Sequence, residues 1–125
     1  MLNLGKMRDK ISVVCDQIGS PTYTYDLSRL LVDMAEREEY GVYHASNEGF
    51  CSWYEFTKEI FAQAGEKDGI YQKVEVVPVS SDAYPVKAKR PFNSRMSKEK
   101  LTKNGFERLP TWQDALQRYL KEIEK

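Results

Sequence analysis

Histidine occurs once in this chain and cysteine twice, and that scarcity removes whole classes of chemistry. His44 alone cannot complete a Ser-His-Asp triad or a zinc site, and nothing beside it has ligand spacing. It reads instead as a hydrogen-bonded histidine in a strand. Cys15 and Cys51 stand among apolar neighbours, again without ligand spacing, and read as reduced, buried thiols of a cytoplasmic protein. No apolar run approaches the roughly twenty residues that a bilayer crossing needs. A charge of one sign is missing too, because nineteen basic and nineteen acidic residues cancel. No net basic field exists to hold nucleic acid or an anionic membrane nonspecifically. The seven glycines, at 5, 19, 41, 49, 65, 69 and 105, form neither Gly-x-Gly-x-x-Gly nor Gly-x-x-Gly-x-x-Gly. No dinucleotide cradle is therefore recognisable in these residues.

What is present is globular. An apolar fraction of 41% beside 30% charge, over 125 residues, allows one compact domain with a real core. Lys10 to Cys15 reads as a strand through β-branched Ile11, Val13 and Val14. Tyr25 to Glu38 reads as a helix, with Leu27, Leu30, Leu31 and Met34 on one face. Thr22 or Thr24 is the expected cap. Val42 to Ala45 reads as a short strand. Ser52-x-x-Glu55 is a capping box that opens a helix whose apolar face is Trp53, Phe56, Ile60 and Phe61, with Gly65 as its stop. Lys67 to Gln72 reads as a polar connection. Val74 to Val79 reads as a strand, with Pro78 arguing for an edge. Ser80 to Asn93 is a long loop, a kind of segment that is often functional. Ser97 is the expected cap of a short helix over Lys98 to Lys103. Thr111 opens the last helix, with Trp112, Ala115, Leu116, Tyr119 and Ile123 facing inward. Three strands and about four helices give a small α/β or α+β lobe.

Two stretches are candidates for ligand contact. Arg90-Pro91-Phe92-Asn93-Ser94-Arg95 offers guanidinium forks that match diphosphate oxygens, with Asn93 and Ser94 as neutral donors. The plain alternative is a solvated turn leading to a helix cap. Gln17, Gly19, Pro21 and Thr22 lie in a strand-to-helix loop whose backbone can approach a ligand closely. The plain alternative there is a turn that only shapes the fold. Tyr23 and Tyr25 can stack on a base, but packing is the simpler use. Tyr54 and Lys58 reproduce the Tyr-x-x-x-Lys spacing of short-chain dehydrogenases, yet they follow the capping box and read as a helix-surface pair.

Asp16-Gln17-Ile18-Gly19-Ser20-Pro21-Thr22, then Gly41-Val42-Tyr43-His44-Ala45-Ser46-Asn47, then Tyr84-Pro85 and Arg90-Pro91-Phe92-Asn93-Ser94-Arg95-Met96-Ser97, occur in this order. Together they resemble the C-terminal, substrate-binding part of the dTDP-4-dehydrorhamnose reductases, which are extended short-chain dehydrogenases/reductases. The resemblance covers nearly the whole chain. It implies an NADP(H)-binding Rossmann domain and a catalytic tyrosine and lysine upstream, so none of these residues is catalytic. It implies dTDP-4-dehydro-L-rhamnose as the ligand, with Arg90, Asn93, Ser94, Arg95, Gln17, Gly19, Pro21 and Thr22 around it. The lobe alone is expected to bind no cofactor, to be inactive, and to expose an apolar patch that drives self-association. Met1 to Lys6 reads as the end of a helix stopped by Gly5, which agrees with a fragment of a longer protein. Some family members use a glutamate for a metal-bridged dimer. Tyr25 stands at that place here, so such a contact is not expected. Two rivals remain: a non-catalytic module resembling the β-subunit of methionine adenosyltransferase, and another nucleotide-sugar epimerase or dehydratase.

Overall fold

The computed structural model describes residues 1–124. The backbone gathers into two compact units, each built from two separate stretches of sequence. The first comprises Met1–Gly19 and Cys51–Ser94, and the second comprises Ser20–Phe50 and the residues from Arg95 on.

In the first unit, Lys10–Val14 (β1) and Glu75–Val79 (β4) form a parallel pair, in register from Lys10 opposite Glu75 to Val14 opposite Val79. Strict alternation puts Ile11 and Val13 of β1 inside and leaves Lys10 and Ser12 exposed. A parallel pair needs a long crossover, and the helix Trp53–Gly65 (α3) is part of it. Its Thr57, Ile60, Phe61 and Gly65 are buried. The Ser52 hydroxyl accepts the Glu55 amide at 3.1 Å, and the Glu55 carboxylate accepts the Ser52 amide at 3.4 Å, completing the expected capping box. A second, two-residue antiparallel pair joins Ile18–Gly19 (β2) to Cys51–Ser52 (β3). Pro78 is tolerated because β4 is paired on one side only among the described residues.

Several expectations for this unit are corrected. Gly5 does not end a helix. It lies buried inside Leu2–Met7 (α1), where a Cβ would stand 2.7 Å from Cε1 of Phe61, so the glycine is a packing spacer. The 67–72 connection is not merely polar. It contains a 3-10 helix over Gly69–Lys73, whose Tyr71 is buried and stacks on Phe61 at 5.9 Å between ring centroids. Trp53 faces solvent rather than the core.

The second unit is mainly helical. It holds Thr24–Ala35 (α2), Glu99–Lys103 (α4) and Trp112–Ile123 (α5); Leu30 of α2 and Leu101 of α4 form a buried cluster with Phe106 and Leu109. Thr111 caps α5 by accepting the Asp114 amide at 3.3 Å. The chain turns after α4 at Gly105 with φ of 77°. There the Arg37 guanidinium donates to the Asn104 and Gly105 carbonyls at 2.6 and 2.9 Å.

Here too the details differ from expectation. Val42 to Ala45 is no strand: Val42 and His44 are exposed, the Val42 carbonyl accepts from Lys100 Nζ, and Tyr43 packs edge-on against Phe106. A lysine side chain rather than a neighbouring strand thus takes the Val42 carbonyl. Neither threonine caps α2. Tyr23 holds the cap position, and its amide donates to Oδ1 of Asn47 at 2.7 Å. The cap thus comes from a distant loop. Leu31 is exposed while Leu30 is buried. Lys98, not Ser97, precedes α4, although the Ser97 hydroxyl still accepts the Glu99 amide at 3.3 Å. Leu120 is buried on α5, whereas Tyr119 and Ile123 are nearly half-exposed.

Candidate functional site

The first unit holds an open cleft of about 440 Å³ beside the end of β1. Val14 and Gln17 line it together with residues of the 81–92 segment, among them Asp82, Tyr84, Lys87, Lys89, Arg90 and Phe92. Its volume falls within the range of small-ligand sites. Tyr84 and Phe92 are more than half exposed and present ring surface, while Lys87, Lys89 and Arg90 supply positive charge against the single carboxylate of Asp82. Such a lining can take a planar ring together with an anionic group.

The two stretches singled out in the sequence meet beside this cleft. Ile18 N donates to the Phe92 carbonyl at 2.8 Å, and Ser94 N donates to the Ile18 carbonyl at 2.9 Å. Ile18 and Asn93 thereby form a parallel bridge. The Ser94 hydroxyl also donates to the Ile18 carbonyl, at 3.1 Å. A Cβ on Gly19 would meet that hydroxyl at 2.5 Å, which is why a residue without a side chain sits there. Gln17 and Arg90 therefore line the cleft, whereas Gly19, Asn93 and Ser94 form the seam next to it. Pro21, Thr22 and Arg95 belong to the second unit. Pro21 is half-buried, Thr22 is exposed, and the Arg95 guanidinium lies 5.8 Å from the centre of the Phe50 ring.

Sequence reading missed Asp16 and Ser81. The Asp16 carboxylate accepts both the amide and the hydroxyl of Ser81 at 2.9 Å. The Ser81 amide bond in particular holds that carboxyl below its ordinary range. The pair is 65 positions apart, so no local pattern announces it.

The second unit carries a buried polar network. Asp26 is 1% exposed. Arg118 grips its two oxygens at 2.8 and 2.7 Å, and the Asn47 amide donates to Oδ2 at 2.8 Å. Burial alone would push the Asp26 carboxyl up, but the bonds from Arg118 and Asn47 outweigh it and leave the group below its ordinary range. Lys98, also buried, pairs with Glu48 at 3.4 Å. Each charge in these arrangements meets an opposite charge, and they read as structural.

Two further points concern chemistry. The Lys58 ammonium stands 5.4 Å above the Tyr54 ring centre, so the pair meets through the ring face. Cys15 and Cys51 are free thiols; Cys51 is buried and Cys15 is half-buried, less than expected. Burial, helped by the charge of Glu55, pushes the Cys51 thiol up to about 11, which makes it a poor nucleophile. Among the described residues no group of three or more His, Cys, Asp or Glu side chains could hold a metal ion. No helix among them is long and apolar enough to cross a membrane. The glycines with positive φ, Gly41, Gly49 and Gly105, stand far apart in the sequence.

Fold and cleft together define a small α/β domain with a groove suited to an anionic, ring-bearing ligand. The chain belongs to the RmlD substrate binding domain family, whose model matches residues 1–125. It is 38% identical over 122 residues to the spore coat polysaccharide biosynthesis protein SpsK of Bacillus subtilis, covering 98% of this chain and 40% of that one. A solved dTDP-4-dehydrorhamnose reductase from Clostridium acetobutylicum superposes with a TM-score of 0.91 at 35% identity, over 99% of this chain and 42% of that one. Another from Bacillus anthracis, in complex with NADP, gives 0.86 at 44% identity, over 97% of this chain and 40% of that one. The chain thus spans about two fifths of the length of the relatives it matches.

Proposed function

We propose that these residues form the nucleotide-sugar-binding part of a dTDP-4-dehydrorhamnose reductase acting in dTDP-L-rhamnose synthesis in the cytoplasm. The observation that carries this reading is the cleft that Gln17, Lys87, Lys89 and Arg90 line together with two exposed aromatic rings. In this reading Arg90 and the two lysines take the diphosphate of dTDP-4-dehydro-L-rhamnose, Tyr84 or Phe92 covers a ring, and Gln17 hydrogen-bonds to the ligand. Asn93, Ser94 and Gly19 hold the seam that fixes the wall.

NADPH, when bound, supplies hydride to the 4-keto carbon, and we assign its binding and the proton-donating tyrosine to residues outside this chain. The domain contributes binding energy remote from the reacting carbon, which orients that carbon and excludes alternatives. The 125 residues alone should then reduce nothing. Exposed Tyr25, Leu31 and Val32 of α2 offer apolar surface through which they should associate, either with the cofactor domain or with a second copy.

The test is calorimetric titration of dTDP into the intact protein. Arg90→Ala should weaken binding about tenfold, the size of one charge-assisted hydrogen bond. Undiminished affinity in the triple variant lacking Lys87, Lys89 and Arg90 side chains would remove the cleft from the ligand site.

A further inference from the structure

We infer that Asp16 is a positioning residue for the cleft: its carboxylate fastens the start of the 82–91 loop and so sets where Lys87, Lys89 and Arg90 meet an anionic ligand. The inference rests on the reading of the cleft as the nucleotide-sugar site.

β1 ends at Val14, and the Cys15 amide still donates to Val79 at 2.9 Å. Asp16 then leaves the ladder, and its Oδ2 takes the amide and hydroxyl of Ser81. Ser80, at the cap position of the 3-10 helix Ser81–Ala83, makes no side-chain bond to it. Asp16 therefore receives the amide that opens this turn. Two residues on, Ile18 takes the other end of the loop through Phe92 and Ser94. Both fastenings thus fall on residues 16–18, and Gln17 lies between them, facing the cleft. Residues 82–91 are exposed throughout, so no buried side chain anchors them. Where this wall stands relative to Gln17 depends on its two tied ends. One tie is largely backbone to backbone. The other is the Asp16 side chain, and it can be removed by substitution.

The carboxylate uses its oxygens unequally. Oδ2 accepts both bonds, while Oδ1 is buried without a partner among the described residues. An amide has one accepting oxygen, which is all that the Ser81 contact needs. Asp16→Asn can therefore keep the fastening, whereas Asp16→Ala cannot.

The experiment pairs limited trypsin digestion with steady-state kinetics on the intact protein. Trypsin reports the loop directly, because the bonds after Lys87 and Lys89 lie within it. In Asp16→Ala, cleavage at these bonds should rise about tenfold and KM for the dTDP-sugar should rise to a similar degree, with kcat changing less than about twofold. Asp16→Asn should restore most of both. Unchanged cleavage in Asp16→Ala overturns the fastening, and the cleft reading then stands or falls on the Arg90 titration. Faster cleavage with unchanged KM means that the fastened loop does not touch the ligand; that result overturns both the positioning role and the cleft reading. A fall in kcat with KM unchanged also overturns the role. Should Asp16→Ala not fold, Ser81→Ala removes the hydroxyl bond alone and should move the same two readouts about threefold.

Discussion

The Asp26 network and the basic cleft use the same kinds of side chain to opposite ends. Asp26 and its partners Arg118 and Asn47 satisfy one another, and Asp26 and Asn47 are removed from water. The cleft leaves Lys87, Lys89 and Arg90 exposed on a loop tied only at its ends. Buried charge that is fully partnered fixes a structure, and exposed charge on a tethered loop is available to a ligand. The difference teaches that charge alone does not mark a site. What marks it is charge whose surroundings remain open.

The largest expected effect is on the closed side. Arg118→Ala strands a buried carboxylate and should lower unfolding stability by about 3 kcal/mol, at the low end for such a pair because the arginine is partly hydrated. Chemical denaturation of the variant measures this. The same carboxylate gives a pH signature. Its folded value lies below its unfolded one, so the unfolded chain takes up protons first as pH falls. The stability from Asp26 is intact above about pH 4 and drains away as pH falls from there through the lowered folded value. Asp26→Asn should flatten that part of the acid-unfolding curve. A curve unchanged in slope would show that the network does not set acid stability.

Gly5→Ala comes next. Alanine gains about 1 kcal/mol of helix propensity, but its Cβ would press on the Phe61 ring at 2.7 Å. Overpacking of this kind costs about 1–3 kcal/mol, so the net change should be a loss of about 1 kcal/mol in thermal or denaturant melts. Ser52→Ala removes the capping box of α3 and should cost about 1 kcal/mol in the same assay. The smallest effect on stability belongs to the cleft. Removing the Lys87 and Lys89 side chains should change unfolding by less than about 0.5 kcal/mol. Their loss should nonetheless weaken dTDP binding and flatten its dependence on salt. If these lysines mattered for stability as Arg118 does, the contrast between closed and open charge would collapse.

Local signals in the sequence were legible and distant ones were not. The Ser52 box, the Thr111 cap and the β-branched run of β1 depend on neighbours a few positions away, and each forms where it was read. Val42 to Ala45 carries the same β-prone chemistry, yet its contacts are with Lys100 and Phe106 from elsewhere in the chain rather than with a strand. The cap of α2 comes from Asn47, 24 positions from the amide it accepts. Of the candidate site, Gln17 and Arg90 were legible because a strand-to-loop turn and an arginine-proline turn are local features. Lys87 and Lys89 were visible only as part of a long loop. Asp16 was hidden because its role depends on Ser81.

The strand pairing of β1 with β4 governs when the polypeptide can become itself. Lys10 finds Glu75 only after sixty-five residues have been made, and Asp26 waits until Arg118, 92 positions later, has left the ribosome. Closing such wide loops is entropically costly, and topologies rich in them fold slowly. During synthesis the early stretches are therefore left with their apolar faces uncovered until the later ones emerge.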